Sequence, residues 1–98
     1  MSDETFGQRL KRLRQSKKLK SRDVANHLGI TLPYFSQMEA DLAVPSEELA
    51  RKIAIYFDEN EEDFVFLARR MHKQISDIVQ RFPRVAPAYF RRVMKEQK

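Results

Sequence analysis

The stretch from Ser21 to Glu39, SRDVANHLGITLPYFSQME, restricts the possible folds of this chain more than any other part of it. Val24, Ala25 and Leu28 recur at helical spacing. Gly29 follows at once, the residue that most readily takes the left-handed conformation ending a helix. Thr31 then stands as a cap, and Pro33 falls in a first turn, where its missing amide has no intrahelical partner to lose. Phe35 and Met38 are three apart and point inward with Ile30. The spacing predicts one helix over Ser21–Leu28 and a second over about Leu32–Ala40. Ala25 is small where the second helix must cross closely, and Ile30 and Phe35 plug the angle between the two. The result is a helical corner whose second arm projects outward. Any tight helical hairpin could imitate that spacing.

The rest of the chain has the same period. Phe6, Leu10 and Leu13 define a helix over about Thr5–Ser16, with Thr5 or Asp3 as its cap. Ser21 is read as the cap of the next helix, and Asp23 suits the positive end of its dipole. Ser46 caps a fourth helix carrying Leu49, Ile53, Ala54 and Phe57, with Glu47 and Glu48 in its first turn. After a break at Asp58-Glu59-Asn60, a fifth helix is expected over about Glu61–Met71, burying Phe64, Leu67 and Ala68. A further apolar set, Ile75, Ile78 and Val79, lies between Lys73 and Arg81. A last helix is expected over about Pro87–Lys95, presenting Phe90, Val93 and Met94. With two Gly and four Pro in 98 residues, an all-α fold of six or seven short helices follows. The chain is 42% hydrophobic, enough for one small core. It has no cysteine, which excludes disulfides and thiolate metal sites. No apolar run approaches the roughly 20 residues that span a bilayer. The N-terminus has no apolar signal core, so a cytoplasmic location is expected.

Charge is unevenly spread. Residues 1–22 carry a net charge of +6, residues 23–68 a net −8 and residues 69–98 a net +7. Solvated helix faces would account for this pattern. So would a polyanionic partner, most often nucleic acid.

At this point the sequence resembles the phage repressor and Cro-like (Xre) helix-turn-helix family. The matching residues are Leu13-Arg14, Val24-Ala25, Leu28-Gly29, Tyr34-Phe35-Ser36 and Glu39, followed by Pro45-Ser46-Glu47-Glu48-Leu49 and Ile53-Ala54. The resemblance implies a lambda-repressor-like bundle of five helices over residues 5–68. Residues 69–98 would be a helical extension for dimerisation or partner binding. It further implies a dimeric, sequence-specific transcriptional regulator of double-stranded DNA, with its third helix in the major groove. Thr31, Leu32, Pro33, Tyr34 and Gln37 would then meet bases or adjacent phosphates. Ser21 would contact a phosphate, Arg22 at the end of the basic turn is a further DNA-binding candidate, and Ser36 would lie near the backbone. Arg14 and Glu39 match a pair that bridges helix 1 to helix 3, a structural role favoured over DNA contact.

Three departures from the family pattern stand out. Leu32 and Pro33 are apolar where relatives are often polar, so they could only pack on thymine methyls or sugar. Asp41 replaces the glycine that usually follows the third helix. The loop from Ala40 to Pro45 has no basic residue for phosphates.

Tyr34 suits a core-edge aromatic as well as a reader. His27 reads as solvated, and His72 has no metal-ligand spacing around it. The run Asp58 to Asp63 has five carboxylates in six positions but lacks a calcium-loop pattern. No phosphate loop, nucleophile elbow or catalytic histidine–carboxylate arrangement is present, so neither an enzyme nor a cofactor is expected. The second function considered is an antitoxin or partner-controlled regulator. Its segment 69–98, with Phe82 and Tyr89 among its apolar residues, would bind another protein such as a toxin.

Overall fold

Five helices make up residues 4–81, the part of the chain described in this computed structural model. They are α1 (Phe6–Ser16), α2 (Ser21–Leu28), α3 (Leu32–Glu39), α4 (Glu47–Tyr56) and α5 (Glu61–Arg81). No strand occurs among the described residues. α4 lies along α5, α1 packs on α3 and α5, and α2 packs on α3 and α4. The core is aromatic: Phe6, Phe35, Phe57 and Phe64 are all fully buried. Phe6 and Phe64 meet edge to face, with centroids 5.5 Å apart at 89°, which joins α1 to α5. Truncating any one of these rings would cost about 3–5 kcal/mol.

α5 departs from the expected division. Its 21 residues contain neither Gly nor Pro, and Phe64, Ala68, Met71, Ile75 and Val79 form one unbroken helical stripe. Met71 and Ile75 are buried in the common core and Val79 packs against it. The two expected pieces, ending at Met71 and Arg81, are therefore a single helix. The boundary expected after residue 68 falls inside it. The expected helix over Pro87–Lys95, with Phe82, Tyr89, Phe90, Val93 and Met94, lies outside the described residues.

Helix starts follow the cap chemistry with one exception. Thr5 and Gln8 form a reciprocal capping box at α1. Thr31 accepts the Tyr34 amide and Ser46 the Leu49 amide. Asn60 accepts the Asp63 amide at 3.0 Å, which gives the acidic run a structural place at the start of α5. The exception is α2. Its cap position is Lys20, which makes no side-chain bond, and Ser21 is already helical. Ser21 is thus not the cap that its residue type suggested.

The tightest junction joins the start of α1 to the end of α3. A Cβ on Gly7 would collide with the Met38 carbonyl oxygen and lie 2.6 Å from that of Glu39 and 2.7 Å from Asp41 Oδ1. Only glycine lets the two backbones approach this closely. Asp41 completes the junction. It sits at φ 59°, the left-handed conformation usually left to glycine. Its carboxylate accepts the Gly7 amide at 2.9 Å and the Thr5 hydroxyl at 2.5 Å. α1 has no acidic residue in its own first turn, so the loop after α3 supplies the negative charge that the positive end of its dipole favours.

Candidate nucleic-acid interface

The corner formed by α2 and α3 is held rigidly from behind. Gly29 stands at φ 72°, and the Ile30 amide reaches back to the Ala25 carbonyl at 3.1 Å. Lys52 of α4 donates to the Leu28 carbonyl at 2.9 Å, placing a cation at the negative end of the α2 dipole. His27 lies against the Tyr56 ring, with centroids 4.2 Å apart. Arg14 ties the other side. Its Nε donates to Glu39 Oε2 at 2.6 Å, one terminal nitrogen to Glu39 Oε1 at 3.1 Å, and the other to the Leu19 carbonyl at 3.1 Å. The side chains of Arg14 and Glu39 are only 15% and 10% exposed. One guanidinium therefore fixes the last residue of α3 and the turn that leads into α2. Planar two-point geometry makes Arg suited to this and Lys not.

Of the residues expected to face a partner, Thr31, Leu32, Pro33 and Ser36 are exposed around the first turns of α3, and Arg22 is exposed on α2. Ser21 is half-buried. Gln37 is half-buried too, and its amide oxygen is shielded from solvent without a hydrogen-bond partner among the described residues. Tyr34 corrects the expectation of a reader. Its side chain is 2% exposed and its hydroxyl donates to the Val44 carbonyl at 3.1 Å. Tyr34, Phe35 and Met38 share the inward face of α3. The phenol puts its ring in the core and its polar tip on the α3–α4 loop, so Tyr34 anchors this corner and is not displayed by it.

The charge at this corner was only partly visible in the residues themselves. Lys17, Lys18, Lys20 and Arg22 are all exposed, and no carboxylate among the described residues pairs with them. Lys20 and Arg22 flank the start of α2, where the dipole disfavours cations by about 0.3–1 kcal/mol each. The same start lacks a side-chain cap. A helix start without a side-chain cap and flanked by cations is suited to an anion, and Asp23, whose amide bonds the Lys20 carbonyl at 3.1 Å, offsets only part of that positive charge. Cap preference, read from the sequence, pointed to Ser21 and hid this feature.

By contrast, Arg9 and Arg12 are both committed to Glu4, and Arg9 also lies over the Phe64 ring at 5.9 Å. The Arg12 guanidinium, then that of Arg9, holds the Glu4 carboxyl below its ordinary range. Part of the basic charge of α1 is therefore structural. No group of three or more His, Cys, Asp or Glu side chains that could hold a metal ion is found among the described residues. No helix there is long and apolar enough to cross a membrane.

A family model described as a helix-turn-helix domain matches residues 5–63, well over half of the chain. The matched span runs from the cap of α1 into the first turn of α5 and contains the whole corner. No curated protein and no solved structure matches the chain.

Proposed function

Because the chain belongs to the helix-turn-helix domain family, we propose that it is a sequence-specific regulator of transcription that binds double-stranded DNA as a dimer and acts as a repressor. The observation that carries this reading is the α2–α3 corner itself, rigidly backed, with an exposed first turn on α3 and unpaired cations at the open start of α2. α3 would enter the major groove. The amides of the α2 first turn, with Ser21, Lys20 and Arg22, would take a phosphate. Thr31 and Ser36 would supply polar contacts, and Leu32 and Pro33 would pack on thymine methyl groups or sugar. Gln37 would turn its amide outward to read a base edge, and adenine is the base its two-point geometry fits. Arg14 and Glu39 would hold the reader in register without touching DNA. Two copies would set their third helices about 34 Å apart on one DNA face. Occupation of a promoter would then exclude polymerase. The action is binding, with no chemical step.

Protection mapping of the DNA upstream of the protein's own gene tests this reading. An inverted repeat with half-sites one helical turn apart is the expected result. Affinity for that site should fall on the order of 10³-fold between 50 and 200 mM salt if about six phosphates are contacted. Gln37→Ala should weaken the specific site by about 1–3 kcal/mol and leave random DNA nearly unaffected. Absence of protection, or a flat salt response, would refute the proposal.

A further inference from the structure

A cleft beside the corner is lined by all three of the helices that meet there. Leu28 at the end of α2, Ile30 in the turn, Tyr34 of α3 and Leu49 of α4 supply its apolar surface, and Glu48 and Lys52 of α4 supply its charges. Its volume is about 270 Å³, just below the roughly 300–1,000 Å³ usual for small-molecule sites. Glu48 and Lys52 stand at i and i+4, the order and spacing in which Glu and Lys ordinarily pair on a helix. They do not pair here. The Lys52 ammonium donates to the Leu28 carbonyl at 2.9 Å instead, and Glu48 has no ion-pair partner among the described residues. The cleft therefore holds a free carboxylate and, about one turn along α4, an ammonium with two of its three N–H donors uncommitted.

We infer that this cleft binds a small apolar α-amino acid as its zwitterion. The ligand's ammonium meets Glu48, its carboxylate meets Lys52, and its side chain lies on Ile30 and Leu49, both half-buried in the free protein. Each ligand charge then makes a charge-assisted bond, the stronger kind. The charge of the cleft chooses this occupant over others. Glu48 and Lys52 cancel, so a polyanion gains nothing by entering, and Glu47 beside Glu48 in the first turn of α4 adds repulsion against a phosphate. A protein partner needs about 800 Å² of surface on each side, far more than a cleft of this size supplies. Lys52 keeps its bond to Leu28 while it takes the carboxylate, so the occupant ties α4 to the turn between α2 and α3. The inference deepens the regulator reading and rests on it for its consequence, since a filled cleft would steady the corner which that reading assigns to DNA. Its test uses no DNA, so a failed titration would leave the DNA-binding reading standing.

Amide NMR spectra of the full chain, titrated with L-leucine, L-valine and L-methionine, test it. Saturable shifts at Ile30, Glu48, Leu49 and Lys52 are expected for at least one of the three, with a Kd on the order of 1 mM for a ligand of so few atoms. Isocaproate, which is leucine without its ammonium, and isoamylamine, which is leucine without its carboxylate, should each bind at least about tenfold more weakly than leucine. Glu48→Gln should weaken amino-acid binding by about tenfold or more. Glu48 is exposed and forms no ion pair among the described residues, so the circular dichroism of this variant should match that of the parent chain. Lys52→Gln should weaken binding as well, and Lys73→Gln, on α5 outside the cleft, should not. Absence of saturable shifts with all three amino acids, shifts confined to other residues, equal binding of isocaproate or isoamylamine, or an unchanged Kd in Glu48→Gln would each overturn the inference.

Discussion

Gly7→Ala sets two opposing effects against each other at one atom. In an open helix the change would stabilise by about 1 kcal/mol, through helix propensity alone. Here the new methyl group would run into the Met38 carbonyl oxygen and sit 2.6 Å from that of Glu39 and 2.7 Å from Asp41 Oδ1. Two of the three obstacles are backbone and cannot rotate away. α1 must therefore move from the end of α3, at an overpacking cost of about 1–3 kcal/mol. The move also stretches the bond from the Gly7 amide to the Asp41 carboxylate, a charge-assisted bond of about 1.5–3 kcal/mol. Clash and lost bond together outweigh propensity, for a net loss of about 2–4 kcal/mol. At about 4–8 °C per kcal/mol for a domain of this size, the melting temperature should fall by roughly 10–25 °C. Thermal melts followed by circular dichroism measure it. Removing the Asp41 carboxylate in the same chain relieves one contact of three and should not rescue the loss. A variant that melts at or above the parent temperature would show that α1 and α3 do not meet at Gly7, and the reasoning would fail.

The remaining predictions concern the charged groups. Glu39→Ala leaves Arg14 largely buried and uncompensated and should cost about 3 kcal/mol in urea unfolding; an unchanged midpoint with DNA binding lost would make Glu39 a contact residue. Asp41→Gly relieves a left-handed strain of about 1–2 kcal/mol but removes charge-assisted bonds to Gly7 and Thr5. It should lower stability, and a gain would show that the carboxylate does not cap α1. Glu4 is held below its ordinary value, chiefly by Arg12. The stability it contributes is present above its unfolded pKa and is lost as pH falls through its lower folded value. Glu4→Gln should therefore flatten the stability profile on the acid side of the ordinary glutamate range; an acid limb identical to the parent's would dismiss this ion pair as a source of acid sensitivity.

How much was legible in the sequence follows from the reach of each signal. Local signals carried well: Gly29 after Leu28, Thr31 and Ser46 as caps, and the apolar stripes that set α1 to α4 all act within about a turn of the chain. The Arg14–Glu39 pair was legible only through family resemblance, because nothing local links residues on separate helices. The failures have two forms. Ser21 looked like a cap because its residue type favours that position, yet the backbone enters the helix one residue earlier, at Lys20. α5 looked like two pieces because His72 and Lys73 interrupt the apolar reading, although Phe64, Met71, Ile75 and Val79 hold one period throughout. Tyr34 was ambiguous on chemical grounds, since an amphipathic ring fits either side of a surface. Its burial is decided by the Val44 carbonyl, ten residues away. Gly7 gave no signal at all. A glycine inside a helical pattern reads as a weakness, and only the approach of α3 shows its purpose.

α3 explains why these distant contacts matter most at the reading corner. It has eight residues, while isolated helices shorter than about 12–15 residues are marginal in water even with favourable sequences. It also carries Pro33 and Ser36 and no ion pair within its own length. Its shape is therefore imposed by neighbours: Thr31 at its start, Tyr34, Phe35 and Met38 beneath it, and Arg14 with the Gly7 approach at its end. Apart from Thr31, which is exposed and also caps the helix, those holding groups are distinct from the exposed residues Leu32, Pro33 and Ser36. Stability and display are thus assigned to different residues except at Thr31, and the outward positions 32, 33 and 36 can change with less effect on the helix. Conversely, a change at Gly7 or Glu39 would displace the exposed face of α3 through the position of the helix alone. Arg14 links these effects: it bonds both to the last residue of α3 and to the turn before α2. Moving it would shift α3 and the start of α2 together.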